Sequence, residues 1–537
     1  MNMKRRDFLK LTILGGVPFL AGFPSGAVAS AWNSSEPKTF ELDEVTIGGL
    51  QAAMKTGRQT SVSLVKKYLK RIQEIDGRGL ALRAVIQTNP DALAIAGELD
   101  RERKAKGPRG PLHGIPVLIK DNIDTHDKMM TTAGSLALLG SIPPRDSFVA
   151  QKLREAGAVI LGKTNLSEWA NYRGDHSTSG WSGRGGQTKN PYALDRNPSG
   201  SSAGSAVAVS ANLCAVAVGT ETDGSLISPA AVCGIVTIKP TVGLISRAGI
   251  IPISHTQDTA GPMARTVTDA AILLGALAGV DPRDAATDAS RDKAQTDYTR
   301  FLDANGLRGV RIGVARRYFR SAGISSKLLD AALEDLKRLG ATLIDPADDP
   351  ALGRFGDAEG TVLSYEFKND MNAYLASLGP KAPAHTLRDL IEFNERNHDK
   401  ELRFFGQEDF LRAQEKGPLT DQAYLDALEK CRRLSRAEGI DAVMDKNSLD
   451  AIVAPSGGPA GETDLIYGDR GVGGSSSPAA LAGYPNISVP AGDVMGMPVG
   501  ISFFGRAWSE PVLLKVAFAF EQGTKHRKPP KFLATIS

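Results

Sequence analysis

The stretch that decides the fold runs from residue 197 to residue 241 and reads NPSGSSAGSAVAVSANLCAVAVGTETDGSLISPAAVCGIVTIKPT. Its small-residue run at 206–211 predicts a tightly packed helix. The apolar runs at 214–218 and 235–238 are too short for helices and predict buried strands. Helices and strands that alternate in this way indicate an α/β fold.

Two serines lie on glycine-rich turns within this stretch. Ser201 is in the turn at 199–205, and Ser225 is in the turn at 222–225. Turns of this composition let backbone N–H groups point at a ligand, and their glycines allow a close approach. One such turn is as typical of a flexible loop as of a site. Two of them, interleaved with buried strands, favour a functional site.

Several segments carry a resemblance to a known family. NPSGSSAGS, GTETDGSLISPA and IKPT are similar to the GGSSGGS, GTDxGGSIRxPA and GLKPT patterns of the amidase signature family. Upstream, GIPVLIKDN (114–122) and GKTNLSEWA (162–170) resemble the same family, and the 24-residue spacing of Ser201 and Ser225 fits it. The resemblance implies the amidase signature fold, a single large α/β domain with a mixed central β-sheet flanked by helices on both faces.

In that family a serine of the second turn is the nucleophile, a serine on a cis peptide bond in the first turn relays its proton, and an upstream lysine is the base. The resemblance places these roles on Ser225, Ser201 and Lys120, with supporting roles for Ser202 and Glu221. A lysine that ends an apolar run is unusual, because burying an ammonium is costly. An ordinary lysine at a strand end would reach solvent, but the matching turns favour the catalytic role.

Amide hydrolysis by these residues needs donors for the oxyanion and a neutral base. The backbone N–H groups of the second turn can supply the donors: Thr222, Asp223, Gly224 and Ser225. Lys120 can act as the base only if burial lowers its pKa by several units from about 10.4. The two-serine relay needs no histidine, and none of the seven histidines lies in the 197–241 stretch. No H-E-x-x-H motif or cysteine pair predicts a metal, so we expect no cofactor.

The resemblance covers residues 45–280 and 440–525, which we expect to form the core of the domain. The intervening residues 281–445 are rich in charged, helix-forming segments. We expect this variable region to cover the mouth of the active site and to help select substrates. No linker, repeat or low-complexity tract divides the chain, so residues 30–537 predict one large amidase domain.

Residues 1–29 have the features of a twin-arginine signal peptide. Arg5 and Arg6 precede a short apolar run (11–23) and an A-V-A cleavage motif that ends at Ala29. The run is too short to span a bilayer as a helix, and no cysteine follows it, so no stable membrane anchor is expected. An uncleaved amphipathic tail is the alternative. We expect cleavage after about Ala29 and export by the twin-arginine machinery, which gives a periplasmic or secreted protein.

The charge of the chain argues against some partners. The formal net charge is +4, and residues 1–29 carry +3 of it. The remaining charge of about +1 gives no field for nucleic acid or for an anionic membrane. The cysteines are too few for a disulfide framework, and we expect them to be buried packing residues. They are Cys214, Cys233 and Cys431.

Departures from the family pattern bear on the substrate. Glu221 stands where the family usually has Asp, Asp223 where it often has Gly, and Leu226-Ile227 where Ile-Arg is common. The missing arginine weighs against the glutamine amidotransferase branch that acts on misacylated tRNA. GRGGQTKNPY, GTETDGS and GIIPISHTQDTAGPMAR most resemble the bacterial peptide amidase branch, which releases ammonia from C-terminal peptide amides. Family members that act on aliphatic or aryl amides are the alternative.

Other motifs give competing interpretations. Residues 157–164 match the G-x-x-x-x-G-K-[ST] phosphate-loop pattern, but their apolar middle predicts a strand rather than a phosphate-binding turn. Residues 200–204 match the G-x-S-x-G elbow of α/β-hydrolases, with Ser202 as nucleophile, but a loop rather than a strand precedes them. An exported binding protein on an inactive amidase scaffold would require a broken triad, and all three candidate residues are present.

Overall fold

The computed structural model describes residues 39–471 and 473–536. The predicted signal peptide, residues 1–29, lies outside the described residues. In the described part of the chain, no helix is both long enough and apolar enough to cross a membrane.

The strands of the described residues belong to an eleven-stranded sheet and a small two-stranded sheet. They are β1 (Val85–Thr88), β2 (Pro116–Lys120), β3 (Val159–Thr164), β4 (Trp181–Ser182), β5 (Gly186–Gln187), β6 (Val216–Glu221), β7 (Val236–Lys239), β8 (Thr259–Ala264), β9 (Arg311–Val314), β10 (Thr342–Ile344), β11 (Ala451–Gly457), β12 (Asn486–Val494) and β13 (Met497–Phe504). The order across the large sheet is β1-β3-β2-β6-β8-β7-β12-β13-β11-β9-β10. Strand β2 pairs in parallel with β3 and β6, whereas β6 with β8 and β12 with β13 are antiparallel, so the sheet is mixed.

Helices cover this sheet and fill the connections between its strands. They are α1 (Ile47–Lys55), α2 (Ser61–Arg71), α3 (Ala92–Lys106), α4 (Phe148–Glu155), α5 (Ala203–Ser210), α6 (Ile227–Val232), α7 (Val267–Leu277), α8 (Arg316–Arg320), α9 (Ser326–Arg338), α10 (Gly356–Ser377), α11 (Leu387–Arg396), α12 (His398–Glu401), α13 (Glu408–Gln414), α14 (Gln422–Ser435), α15 (Asp441–Asn447), α16 (Ser477–Ala482) and α17 (Glu510–Thr524). One large cluster of buried apolar side chains joins the sheet to α2, α5, α7 and α17. The predicted single large α/β domain with a mixed sheet and flanking helices is therefore confirmed.

The pairing of β2 with β6 brings the two halves of the site together. Both strands are completely buried and rich in Val, Ile, Leu and Ala, as parallel strands covered on both faces usually are. Their register sets Val117 opposite Val216 and Ile119 opposite Val218. Because the strands are parallel, their carboxyl ends meet at the same edge of the sheet. Lys120 and the residues after Val218 therefore lie side by side.

Helix α5 must pack very closely, which explains its small residues. Every residue of the helix is buried. A Cβ atom added at Gly204 would lie 2.4 Å from the carbonyl oxygens of Ala84 and Asn165. Since that distance is far inside van der Waals contact, only glycine fits there. The close packing fixes the turn that immediately precedes the helix, which contains Ser201.

The region 281–445 contributes more than helices. Its strands β9 and β10 extend the large sheet beyond β11, with both new pairs parallel. Its helices α10 and α14 pack on each other and around a separate apolar cluster that includes Tyr365 and Tyr424. All three cysteines are buried and free, as expected from the sequence.

Candidate active site

Lys120 ends β2 with its side chain fully buried. Its Nζ lies 2.7 Å from Ser201 Oγ, 2.9 Å from Thr220 Oγ1 and 3.3 Å from the Thr220 carbonyl oxygen. The Thr220 hydroxyl also accepts a hydrogen bond of 3.0 Å from Asn122 Nδ2. The lysine therefore does not reach solvent, and it is aimed at the first serine turn.

The electrostatic surroundings of Lys120 favour a neutral amine. Burial lowers the pKa of Lys120 from 10.5 to about 7, while the carboxylates of Asp258 and Glu221 act in the opposite direction. The hydrogen-bond partners of the Lys120 amine are the hydroxyls of Ser201 and Thr220 and the Thr220 carbonyl oxygen, and no carboxylate contacts it directly. A large fraction of the lysine is thus neutral near pH 7 and can accept a proton.

The first turn is held directly against the second. The Gly200–Ser201 peptide bond is cis, as the family resemblance implies. The Ser202 amide donates to the Ser225 carbonyl oxygen at 3.1 Å. The Ser202 hydroxyl donates to the Thr220 carbonyl oxygen at 2.9 Å and accepts from the Thr220 amide at 3.2 Å. Ser202 is fully buried by these contacts, which fit a supporting role and leave it poorly placed to attack a substrate.

The second turn lies between β6 and α6 and presents Ser225. Gly224 has φ +78°, a conformation that residues with a side chain rarely adopt. Glu221 Oε2 accepts hydrogen bonds from the amides of Leu226 at 2.7 Å and Ile227 at 3.0 Å. The carboxylate thus fixes the start of α6, immediately after the serine. Ser225 itself is almost fully buried, with 8% of its surface exposed.

The backbone of the second turn offers unoccupied donors. None of the N–H groups of Thr222, Asp223, Gly224 and Ser225 donates to another described residue. Buried or half-buried amides normally have a partner, so a run of four open donors is unusual. Donors of this kind suit the oxygen of a tetrahedral intermediate. The four residues predicted from sequence thus have the backbone groups that an oxyanion hole requires.

Two further contacts fix this turn, and the sequence interpretation did not identify either. Thr222 Oγ1 donates to Asp258 Oδ1 at 2.5 Å. Asp223 accepts hydrogen bonds of 2.5 Å from the hydroxyls of Ser476 and Ser477 at the start of α16. Asp258 lies in the family-like segment around residue 258, but nothing in the local pattern showed which turn it would contact.

The structure brings the three proposed catalytic residues to one place without joining all of them. Lys120 and Ser201 are hydrogen bonded, whereas no hydrogen bond links the Ser225 hydroxyl to another described residue. In enzymes without substrate, catalytic hydrogen bonds are often long and shorten only in the complex. The bond from the Ser202 amide to the Ser225 carbonyl oxygen keeps the two turns adjacent, and a proton path from Ser225 to Lys120 requires the Ser225 hydroxyl to come within hydrogen-bond distance of Ser201.

A cavity of about 320 Å³ lies next to the first turn and to helix α6. It is lined by Ser199 of the first turn, by Ser228 of α6 and by residues that include Glu462 and Arg470, whereas Lys120, Ser201 and Ser225 are not among its lining residues. The cavity is large enough for one or two amino-acid residues of a ligand.

The phosphate-loop interpretation is wrong. Residues 159–164 form β3, which lies between β1 and β2 in the large sheet, and Lys163 is fully buried. Its Nζ donates to the Ile123 carbonyl oxygen at 2.5 Å and to Thr131 Oγ1 at 2.9 Å. No backbone turn surrounds a phosphate there, and the lysine already has its partners.

One group of potential metal ligands lies among the described residues. Ligand atoms of His255, Glu366 and Asp370 lie within 4.8 Å of one another. The carboxylates already accept hydrogen bonds from Tyr424, Ser254 and His255 itself. These contacts indicate a hydrogen-bonded network rather than an open metal site.

Comparison with known proteins agrees with this geometry. The sequence matches the Amidase family over residues 63–514. The structure of native peptide amidase from Stenotrophomonas maltophilia is 50% identical with a TM-score of 0.88, and the match covers 92% of this chain and 100% of that one. A probable amidase of Arabidopsis thaliana is 47% identical over 95% of both chains. A glutamyl-tRNA(Gln) amidotransferase subunit of Thermoanaerobacter pseudethanolicus is 34% identical over 92% of this chain and 99% of that protein.

The fold and the site together define an amide hydrolase built on a mixed α/β sheet. The chain belongs to the amidase signature family.

Proposed function

We propose that this amidase works through Ser225, Ser201 and Lys120 and that it releases ammonia from C-terminal peptide amides. The observation that carries the mechanism is the buried Lys120 Nζ at 2.7 Å from Ser201 Oγ. This pair lies beside a turn whose four backbone N–H groups have no partner among the described residues. The last residue of that turn is Ser225, which is 8% exposed.

The first half of the reaction forms an acyl-enzyme. Neutral Lys120 accepts the Ser201 hydroxyl proton while Ser201 Oγ accepts the proton of Ser225, whose oxygen attacks the amide carbon. The carbonyl oxygen becomes an oxyanion and accepts hydrogen bonds from the second turn. The proton returns along the same relay to the nitrogen, the C–N bond breaks, and ammonia leaves.

The second half restores the enzyme. A water molecule attacks the acyl carbon and gives its proton through Ser201 to Lys120. The bond to Ser225 Oγ then breaks, and the serine regains its proton from the relay. The carboxylic acid product leaves, and no other reactant is consumed.

The choice of a peptide amide as substrate is supported by similarity to a peptide amidase and by a cavity next to the first turn. A chain 50% identical to this one over its full length is named a peptide amidase. The cavity next to Ser199 of the first turn is large enough for the end of a peptide. Aliphatic or aryl amides remain the second candidate substrates, because the same catalytic groups would cleave them.

Ammonia release by the purified protein tests this proposal. The panel contains a peptide C-terminal amide, a simple aliphatic amide, an aryl acylamide and an unblocked peptide, with Ser225→Ala as the matched inactive control. Ammonia from the peptide amide with all internal bonds intact supports the proposal. Faster cleavage of the aliphatic or aryl amide overturns the substrate but keeps the mechanism. No turnover of any amide overturns both and favours a binding protein.

Export of the chain is a separate proposal that rests on the sequence of residues 1–29. We propose that the paired Arg5 and Arg6 direct the folded enzyme to the twin-arginine machinery and that the mature enzyme is extracytoplasmic. Cell fractionation with an Arg5→Lys, Arg6→Lys double variant tests it. Activity that stays in the periplasmic fraction of the double variant contradicts the proposal.

A further inference from the structure

Helix α10, in the region expected to vary among relatives, places three acidic side chains against the active-site wall. Glu359, Glu366 and Asp370 are spaced by seven and four residues, so they share one face of the helix. Each of them contacts the loop at 253–258, which precedes β8. Glu366 is buried and the other two are half-buried, and a helix that only shielded the site would not need a buried carboxylate on that face.

Glu366 makes the most extensive of these contacts and is fully buried. Its Oε2 accepts hydrogen bonds from Ser254 Oγ at 2.5 Å, from Thr256 Oγ1 at 3.0 Å and from the Thr256 amide at 3.2 Å. Its Oε1 accepts from Tyr424 OH of α14 at 2.7 Å. The carboxylate therefore joins two helices of the variable region to the loop.

The same loop holds the second catalytic turn. Asp258 Oδ2 accepts hydrogen bonds from the amides of Ile253 at 2.8 Å and Ser254 at 2.9 Å. Its other oxygen accepts from Thr222 Oγ1 at 2.5 Å. Ser254 is thus bonded to Glu366 through its hydroxyl and to Asp258 through its amide. A continuous chain of hydrogen bonds runs from Glu366 to the first residue of the turn that carries Ser225.

His255 reinforces the contact on the outer side. Asp370 Oδ2 lies 2.8 Å from His255 Nδ1 and accepts the His255 amide at 3.0 Å. His255 Nε2 lies 3.5 Å from Glu366 Oε1, and the Arg247 guanidinium donates to the His255 carbonyl oxygen. The contacts of Asp370 and Glu366 with the His255 ring fix the residue next to Ser254. Helix α10 therefore contacts the loop at two consecutive residues, Ser254 and His255.

We propose that Glu366 is a positioning residue that sets the oxyanion-binding turn through Ser254, Asp258 and Thr222. The variable region then controls the rate of the chemical step as well as the choice of substrate. This inference rests on the proposed function of the Ser225 turn. It requires that Glu366 does not touch the substrate and acts only through the loop.

Kinetics of Glu366 variants test the inference on the amide that the wild type cleaves best. Glu366→Ala should lower kcat by roughly 10- to 100-fold, because small displacements of catalytic donors have effects of that size. KM should change less than about threefold, since ground-state binding does not use the turn. Glu366→Gln keeps an oxygen acceptor for Ser254 and Thr256, and the Tyr424 hydroxyl can turn to accept, so this variant should recover most of kcat.

Two control variants separate positioning from general destabilisation. Asp357→Asn removes an exposed acid from the first turn of the same helix and should leave kcat unchanged. Leu333→Ala opens a cavity in α9 and should lower the melting temperature without lowering kcat at a temperature where the protein is folded. Wild-type kcat in Glu366→Ala, or a raised KM at unchanged kcat, overturns the inference.

Thr222→Val tests the path between Glu366 and the turn. If both residues act through one chain of contacts, the double variant with Glu366→Ala should be little slower than the slower single variant. If the two substitutions instead lower kcat by factors that multiply in the double variant, the proposed chain of contacts from Glu366 to Thr222 is contradicted. If Glu366→Ala fails to fold, Ser254→Ala breaks the same contact with a smaller change and should lower kcat in the same direction. Absence of any amide turnover by the wild type would instead be a failure of the proposed function.

Discussion

The Nζ of Lys120 lies 2.7 Å from Ser201 Oγ, although 81 residues separate them along the chain. Strand β2 delivers the lysine, and the turn before α5 delivers the serine. The neighbouring strand β6 supplies Thr220, which bonds to the lysine and to Ser202. Lys120, Ser201 and Thr220 therefore meet at the carboxyl ends of two adjacent parallel strands, β2 and β6.

Substitution of the serines should rank them by role. Ser225→Ala should abolish turnover because it removes the proposed nucleophile, and the neighbouring hydroxyls of Thr222, Ser476 and Ser477 are already bonded to Asp258 and Asp223. Ser201→Ala should lower kcat by about 10³-fold or more, since the proton relay is interrupted but the nucleophile and the oxyanion donors remain. Steady-state ammonia release measures both, and full activity in Ser225→Ala would disprove the assignment.

Ser202→Ala separates this mechanism from the α/β-hydrolase alternative. The Ser202 hydroxyl is fully buried between the amide and the carbonyl of Thr220, where it braces the turns. We expect reduced stability and a moderate loss of kcat. A fluorophosphonate probe followed by peptide mass spectrometry should label Ser225 in this variant. Label found on Ser202 in the wild type would instead support the α/β-hydrolase interpretation, in which Ser202 is the nucleophile.

The pH dependence of the reaction should report the titration of Lys120. Its pKa is lowered by burial to about 7, and only the neutral amine can accept a proton. Hence kcat/KM should rise with pH through a midpoint near 7 on the acid side of the profile. Replacing the nearby Asp258 by Asn removes a charge that raises this pKa, so the midpoint should move to lower pH. A profile flat from pH 5 to pH 8 would contradict a lysine base.

Burial of Lys120 also predicts how stability depends on pH. Between pH 7 and pH 10.5 the unfolded chain holds the lysine proton and the folded chain does not, so stability should rise with pH. Below pH 7 the destabilising contribution of Lys120 is fully present. In Lys120→Met this dependence is absent, so its melting temperature relative to the wild type should fall as the pH rises from 7 to 10. A constant difference across that range would contradict the burial-driven shift.

Much of the core could be predicted because its signals are local. The apolar runs before Lys120 and around Val216 form strands, and the two glycine and serine turns beside them match the family pattern. The predicted strand at 214–218 was observed two residues later, as Val216–Glu221, because its polar end is buried by the site it builds. Roles could be predicted for individual residues, such as Lys120 and Ser201, only where the family pattern has a matching position.

The remaining contacts could not be predicted because they join distant segments. Nothing near Asp258 in the sequence shows that it will bond to Thr222, and Ser476 lies 253 residues from Asp223. Residues 281–445 were expected to form charged helices over the mouth of the site, whereas the short segments 311–314 and 342–344 add strands to the main sheet and helix α10 buries Glu366. A charged residue that is satisfied by a partner from elsewhere has the same local pattern as a solvated one.

Glu221 should prove essential for the stability of the second turn. It is buried, and its Oε2 is the acceptor for the amides of both Leu226 and Ile227. Glu221→Ala leaves two buried donors unsatisfied, at a cost of about 1–3 kcal/mol each. Glu221→Gln keeps an acceptor oxygen and should be milder. Scanning calorimetry should show a lower melting temperature for the alanine variant than for the glutamine variant, and equal values would contradict this role.

Glu359 of α10 should produce an alkaline limb in the activity profile. Burial raises the pKa of Glu359 to about 8, with a further contribution from the nearby Asp223 carboxylate. The Gln257 amide donates to Glu359 at 3.1 Å, which places it beside the Asp258 loop. Near pH 7 the glutamic acid is mostly neutral. Above pH 8 it adds a second negative charge close to the turn where the oxyanion develops.

That added charge should destabilise the transition state by about 1 kcal/mol at the effective dielectric of a half-buried site, which is roughly a fivefold loss of kcat/KM. Together with the Lys120 midpoint near 7, the profile of the wild type should be bell-shaped. Glu359→Gln remains neutral at every pH, so its profile should keep the acid limb and lose the alkaline one. The same alkaline limb in Glu359→Gln would show that another group is responsible, because Gln preserves the shape and the contact to Gln257 while removing only the ionisation.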